Sequence, residues 1–223
     1  MKIVLFGATG MIGQGVLREC LLAPDVEVVL SVGRNASGRE HPKLRELVRA
    51  DLFDWSSAKG ELAGYDACFF CLGISSAGMS EERYRKITYD LTLAAAQVLV
   101  EKNPAMTFIY VSGASTDSTG EGKTMWARVK GQTENALLAL PFRGAYMFRP
   151  GLIVAMNGEV SRTPAYRYAY MFLGWLAPLL AKLSPKSVTT TEKMGRAMLN
   201  VARHGAPQRI LEVPDINAAA ERT

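Results

Sequence analysis

Three glycines near the start of the chain have the spacing of a phosphate-binding turn. Gly7, Gly10 and Gly13 follow an apolar run at residues 2–6, and residues 14–22 have the pattern of a helix. A glycine-rich turn between a strand and a helix offers a phosphate free backbone N–H groups and the positive end of the helix dipole. The sequence therefore predicts a dinucleotide-binding turn. Its predicted cofactor contacts are Gly7, Thr9, Gly10, Met11, Ile12 and Gly13.

An arginine follows the second predicted strand. Residues 27–32 form another apolar run, and Gly33 and Arg34 come next, about twenty residues after the glycine turn. In a dinucleotide fold an acidic residue here binds the 2′-hydroxyl of NAD, whereas an arginine favours the 2′-phosphate of NADP. We therefore predict NADP as the cofactor, with NAD as the alternative. An ordinary surface arginine in a polar loop is the competing interpretation of Arg34.

Two further strand ends are predicted to reach the same ligand. Residues 44–48 lead to Asp51 and Leu52 at a third strand edge, and the buried run at 67–72 ends in Leu72 before Gly73. In open parallel sheets ligands bind at the carboxyl ends of strands, so all four residues are predicted cofactor contacts. For Asp51, a contact to the adenine amino group and a turn cap are equally good interpretations.

The second half of the chain carries a serine, a lysine and a proline–glycine turn. A fifth strand, residues 107–111, ends at Ser112, and Lys130 lies within a helix predicted from about 124 to 140. A sixth strand, residues 145–148, ends in Arg149-Pro150-Gly151. With the glycine turn, this set in this order resembles the short-chain dehydrogenase/reductase superfamily. The resemblance is to its extended or atypical NAD(P)-binding branch, which includes epimerase/dehydratase and HTATIP2-like proteins.

The resemblance implies roles for particular residues. In that superfamily a Ser, a Tyr and a Lys four residues beyond the Tyr carry out general acid–base catalysis. Lys130 matches the lysine, which holds the nicotinamide ribose, and Ser112 matches the serine best, with Ser115 as the reserve. Trp126 occupies the tyrosine position, and an indole N–H donates a hydrogen bond but does not act as an acid or base near neutral pH. Pro150 is a further implied cofactor contact.

Fold and function follow as expectations from the motifs and the resemblance. We expect an α/β fold of the Rossmann type, a doubly wound parallel sheet with helices on both faces. Residues 1–223 would form one NAD(P)-binding domain, in which residues 152–190 cover the substrate. The expected function is an NADP-dependent oxidoreductase or epimerase/dehydratase-like enzyme acting on a small carbonyl substrate. The alternatives are an NADPH-binding sensor without turnover and a membrane-edge or assembly module that uses residues 165–183 as an interaction face.

Composition excludes several other classes of protein. The 223 residues include 26 basic and 21 acidic side chains, scattered without long runs, so nucleic-acid binding is not expected. Three cysteines argue against a disulfide framework, and Cys68 and Cys71 lie in an apolar run whose alternation places them on opposite faces. Neither a metal site nor stable membrane insertion is expected, although a homo-oligomer is compatible with the aromatic segment. We predict a cytoplasmic location by default, and a loose tail at residues 218–223.

Overall fold

The computed structural model describes residues 1–159 and 186–222, and most of this chain surrounds one parallel sheet. Of the nine strands in these ranges, seven form this sheet in the order β3-β2-β1-β4-β5-β6-β9, and β7 pairs with β8 separately. All neighbouring strands run parallel. The strands are β1 Lys2–Phe6, β2 Val28–Gly33, β3 Leu44–Val48, β4 Ala67–Phe70, β5 Thr107–Val111, β6 Gly144–Arg149, β7 Leu152–Val154, β8 Val188–Thr190 and β9 Ile210–Glu212.

Helices follow most of the strands. They are α1 Met11–Leu22, α2 Glu81–Arg85, α3 Leu91–Lys102, α4 Met125–Leu138, α5 Thr191–His204 and α6 Val213–Ala220. A π-helical turn, Lys86–Asp90, joins α2 to α3, so residues 81–102 form one continuous helix. Ser80 caps its start, because the serine hydroxyl accepts a hydrogen bond from the backbone N–H of Arg83, as expected for an N-cap residue.

Alternation along the strands divides the apolar side chains between two cores. In β1, Ile3 and Leu5 pack on the face covered by α1, α5 and α6, whereas Val4 and Phe6 pack on the face covered by α3 and α4. The same alternation holds in β4 and β5 because successive side chains of a strand point to opposite faces. The predicted doubly wound α/β fold is confirmed.

The same alternation of side chains determines which core Cys68 and Cys71 contact. Cys68 packs in the core beneath α3 and α4, and Cys71 packs against the opposite core, which also contains Cys20. All three thiols are free, and burial raises the pKa of each of them above its ordinary value. The prediction that Cys68 and Cys71 face opposite sides is confirmed.

The end of the chain differs from the predicted loose tail. Residues 213–220 form α6, and Ala219 and Ala220 are buried. Glu212 and Asp215 cap the start of this helix reciprocally, and the Asn200 amide donates to Ala219 O at 2.9 Å. The tail prediction was wrong because short alanine side chains can pack against α5 without showing an apolar pattern of large residues.

The aromatic segment at 165–183, singled out from the sequence, lies outside the described residues. Within the two described ranges, no helix has both the length and the apolar character needed to cross a membrane.

Candidate cofactor site

An open cleft of about 700 Å³ lies where the strand order reverses. The chain moves outward from β1 to β2 and β3, then returns to place β4 on the other side of β1. Helices leave in opposite directions at such a point, and the gap between them is the usual ligand site of an open α/β sheet. The predicted contacts that line the cleft are Gly7, Thr9, Gly10, Arg34, Asp51, Leu52, Leu72 and Gly73.

The glycine turn is shaped to let a ligand approach the backbone. Gly7 has a φ of +83°, and a Cβ atom there would lie 2.7 Å from the backbone nitrogen of Leu72. A Cβ atom on Gly13 would lie 2.0 Å from the carbonyl oxygen of Gly7, so α1 can pack this closely only with glycine. Gly10 is the N-cap of α1 and supplies no side-chain cap. The first N–H groups of α1 are therefore left for a phosphate, and the residues fit a dinucleotide pyrophosphate.

Met11, Ile12 and Gly13 form the first turn of α1 rather than the wall of the cleft. The side chains of Met11 and Ile12 pack against the core on the α1 face. Any contact from these residues to a phosphate would therefore come from their backbone N–H groups.

Arg34 lies one residue beyond β2, at the rim of the cleft. Its side chain is exposed and forms no ion pair with any residue in the described ranges. Asp51 lies on the cleft too, but its Oδ1 accepts a hydrogen bond from the Phe53 N–H at 2.7 Å, which caps the turn. The third strand ends at Val48, so Asp51 and Leu52 belong to the loop after β3 rather than to a strand edge.

Lys130, on helix α4, lies near the carboxyl ends of β5 and β6. It occupies the face of α4 that also carries Trp126, one turn earlier. Lys130 Nζ donates a hydrogen bond to the carbonyl oxygen of Ser112, and Ala114 N donates to Pro150 O at 2.8 Å. These bonds join Ser112, Lys130 and Pro150 into one structural unit. Loss of solvation lowers the pKa of Lys130 to about 8, although the carboxylate of Glu134 opposes the change.

The hydroxyl of Ser112 is engaged within the protein. It donates to Glu134 Oε1 at 2.5 Å and lies 3.2 Å from Phe148 O. Glu134 is fully buried and forms a salt bridge with Arg149 at 2.5 Å. The structure thus joins Ser112 to Lys130 through the serine backbone, while the serine hydroxyl belongs to a buried polar network. The reserve serine, Ser115, is exposed and has a φ of +67°.

Trp126, at the position of the usual tyrosine, is half-buried. Five of the eight tyrosines of the chain lie in the described ranges. Among these, Tyr84 is hydrogen-bonded to Thr88, and Tyr110 to Thr133. Tyr166, Tyr168 and Tyr170, the tyrosines of the aromatic segment, lie outside the described residues.

Sequence reasoning missed part of the cleft wall. The additional lining residues include aromatic Phe53, the cations Arg83 and Lys86, and the apolar residues Ile74, Ile87 and Leu91. The available signal was the pair of cations three residues apart in the helix after the β4 loop, beside an apolar stripe. Such a pair lies on one face of a helix, and here that face borders the cleft.

The fold and the cleft together define the class of protein: a dinucleotide-binding domain of the Rossmann type. Residues 7–138 match a family model described as NAD(P)H-binding, and the chain belongs to this family.

Curated relatives extend over most of the chain. The protein named "Protein fmp52, mitochondrial" from Emericella nidulans is 30% identical over 206 residues, covering 89% of this chain and 86% of the relative. "Protein FMP52, mitochondrial" from Lodderomyces elongisporus is 23% identical over 217 residues, covering 92% of this chain and 87% of the relative. These names contradict the predicted cytoplasmic location. That prediction was wrong because scarce, unpaired cysteines indicate a reducing compartment without saying which one.

Solved structures agree with the fold. The Bordetella bronchiseptica enzyme WbmF in complex with NADH has a TM-score of 0.69 at 16% identity, covering 97% of this chain and 75% of that one. A short-chain dehydrogenase/reductase from Saccharomyces cerevisiae has a TM-score of 0.65 at 16% identity, covering 99% and 98%. The expectation drawn from the sequence is confirmed for the NAD(P)H-binding family and for the fold that these structures share.

Proposed function

We propose that this protein is an NADP-dependent oxidoreductase or epimerase-like enzyme acting on a small carbonyl substrate. The observation that carries the cofactor assignment is the cleft at the strand reversal, with Arg34 at its rim and in no ion pair within residues 1–159 and 186–222. An unpaired guanidinium after β2 suits a phosphate on the adenosine ribose, which only NADP carries. The glycine turn supports binding of the pyrophosphate that NAD and NADP share.

The residues after β5 and β6 support a role at the nicotinamide half. Bound NADPH would supply a hydride to a carbonyl carbon, and the carbonyl oxygen would then need a proton. Trp126 cannot provide that proton. Lys130, with a pKa of about 8, holds a proton at Nζ at neutral pH and is poised to release it, which suits a general acid. We therefore assign the proton donor to Lys130, and the orienting role to the backbone around Ser112.

The segment from 152 to 190 is proposed to cover the substrate. Strand β7 follows Pro150 closely, and it pairs with β8 through the register Ile153–Thr189. This pairing holds β7 and β8 next to the Pro150 turn after β6, whose carbonyl oxygen accepts a hydrogen bond from Ala114 N close to Ser112, which supports a covering role.

The cofactor assignment is tested with an Arg34→Ala variant. Removal of one charge-assisted phosphate contact should weaken NADPH binding by about tenfold or more, since such a contact contributes roughly 1.5–3 kcal/mol. NADH binding should change by less than about twofold. The Arg39→Ala variant removes an equivalent charge from a side chain that does not line the cleft, and it serves as the control. Equal losses for both cofactors in the Arg34 variant would reject the assignment.

The chemical assignment is tested by turnover of NADPH against a panel of small carbonyl compounds. Activity should be lost in a Lys130→Ala variant and retained in a Lys123→Ala variant, which removes an exposed lysine of the same region. Retained activity in the Lys130 variant would remove this residue from the reaction.

A second candidate function is an NADPH sensor without turnover. Two observations favour it: the Ser112 hydroxyl is engaged by Glu134, and Trp126 replaces the usual tyrosine. On this hypothesis the wild-type protein binds NADPH but reduces no carbonyl compound. A Trp126→Tyr variant would then restore the missing phenol four residues before Lys130, and a gain of reductase activity is expected.

A further inference from the structure

We propose that Lys86 and Arg83 form a second wall of the 2′-phosphate site, opposite Arg34, and help to select NADP over NAD. This inference rests on the proposed NADP function and extends it to residues of the helix after β4. It assigns NADP selectivity to both sides of the cleft rather than to the residue after β2 alone.

Charged side chains of α2 and of the π-helical turn that follows it fall into two groups, those that bind other residues and those that line the cleft. Glu81 accepts two hydrogen bonds from Arg128, at 3.1 and 2.6 Å. Arg85 donates to Gln132 at 2.5 Å and stacks over Tyr89. Arg83 and Lys86, by contrast, line the cleft, and neither forms an ion pair with any side chain in the described part of the chain.

Lys86 lies near the end of the cleft where an adenosine would bind. Its Nζ lies 5.8 Å from the centre of the Phe53 ring, and Phe53 belongs to the loop after β3. That loop and Arg34 follow β3 and β2, which are neighbours on one side of β1. Lys86 is therefore near the loop beyond β3, on the side of the cleft where the adenosine ribose of a dinucleotide binds.

The side chains that line the cleft carry more positive than negative charge. Three cationic side chains, Arg34, Arg83 and Lys86, line it together with a single carboxylate, Asp51. One oxygen of that carboxylate is already bonded to the Phe53 N–H. A phosphate monoester carries nearly two negative charges at neutral pH. The 2′-phosphate of NADP would bring this charge to the adenosine end of the cleft, whereas the pyrophosphate that NAD and NADP share would bind at the glycine turn.

A π-helical turn begins at Lys86, within the helix that borders the cleft. Such turns interrupt the regular hydrogen bonding of a helix and are frequent at functional sites. Its first two residues, Lys86 and Ile87, both line the cleft.

The test measures binding rather than activity. NADPH and NADH are titrated calorimetrically against the wild type and the variants Lys86→Gln and Arg83→Gln. The fragments 2′,5′-ADP and 5′-AMP, which differ only in the 2′-phosphate, isolate the adenosine end. Lys102→Gln is the control, because Lys102 ends the same helix, pairs with Glu101 and does not line the cleft.

The Lys86→Gln variant should bind NADPH and 2′,5′-ADP about tenfold more weakly, and Arg83→Gln severalfold more weakly, with NADH and 5′-AMP nearly unchanged. Equal weakening of both members of each pair would assign these cations to the pyrophosphate or adenine and overturn the inference. Unchanged binding of all four ligands would overturn it as well. If the wild type does not prefer NADPH, the proposed function fails. If it does, and only Arg34→Ala removes the preference, this inference alone fails.

Discussion

Replacement of Lys130 by Met should make the cofactor-free protein more stable at neutral pH. The pKa of Lys130 falls from its ordinary 10.5 to about 8, chiefly through loss of solvation. Since one pKa unit corresponds to about 1.36 kcal/mol, the charged form costs about 3 kcal/mol of stability at pH 7. Methionine removes this cost but also loses the hydrogen bond from the charged Nζ to Ser112 O, worth about 2 kcal/mol. A net gain of about 1 kcal/mol is therefore expected.

The dependence on pH follows from the same difference. Between pH 8 and 10.5 the unfolded chain keeps the Lys130 proton while the folded protein has lost it, so wild-type stability contains a term that rises with pH in this window. The Lys130→Met variant lacks that term, and its advantage should shrink steadily from pH 8 to pH 10. Urea denaturation of the cofactor-free proteins at pH 7, 8, 9 and 10 measures the difference directly.

Lys123→Met provides the matched control because it removes the same formal charge from an exposed side chain of the same region. A Lys130→Met variant that is less stable than the wild type at pH 7 would refute the argument. So would a difference in stability that stays constant from pH 7 to pH 10, since it would show that Lys130 does not lose its proton early.

Two further predictions concern packing around the site. Gly13→Ala should lower the free energy of unfolding, measured by urea denaturation, by about 2–3 kcal/mol and abolish tight NADPH binding, because its Cβ would overlap the Gly7 carbonyl. In Gly10→Ala the Cβ would lie 3.4 Å from that oxygen, so the loss should be less than about 1 kcal/mol. Similar losses in both would argue against the close packing of α1. Glu134→Gln should lower the free energy of unfolding by about 3 kcal/mol, because Arg149 loses its buried charged partner. Glu212→Gln removes the more exposed partner of the same arginine and should lower it by less than about 1 kcal/mol. Equal small losses would refute the importance of the buried pair.

The main fold was predictable because its signals are local. The unbroken apolar run of Ile3, Val4, Leu5 and Phe6 indicates a strand buried on both faces, and a helix must follow the glycine turn to bring the next parallel strand into place. Arg34 could be assigned to the cleft because its position depends only on the length of one strand–helix–strand unit.

The parts that sequence reasoning did not reach depend on contacts between distant segments. Ser112 matches a catalytic serine by position, but its hydroxyl is bonded to Glu134, which lies 22 residues away on α4. In the sequence Lys86 resembles an ordinary surface lysine, whereas in the structure it lies beside Phe53 of the loop after β3. Such pairings are set by tertiary packing, and one sequence alone does not encode them in any short pattern.

The central claim is that the cleft between β1, β2 and β4 binds NADP in preference to NAD. It is tested most directly by titrating the wild-type protein with NADPH and NADH while following tryptophan fluorescence, to which half-buried Trp126 contributes. The account predicts saturable binding of both cofactors, with NADPH bound at least tenfold more tightly. Binding of neither cofactor, or equal affinity for the two, would contradict it.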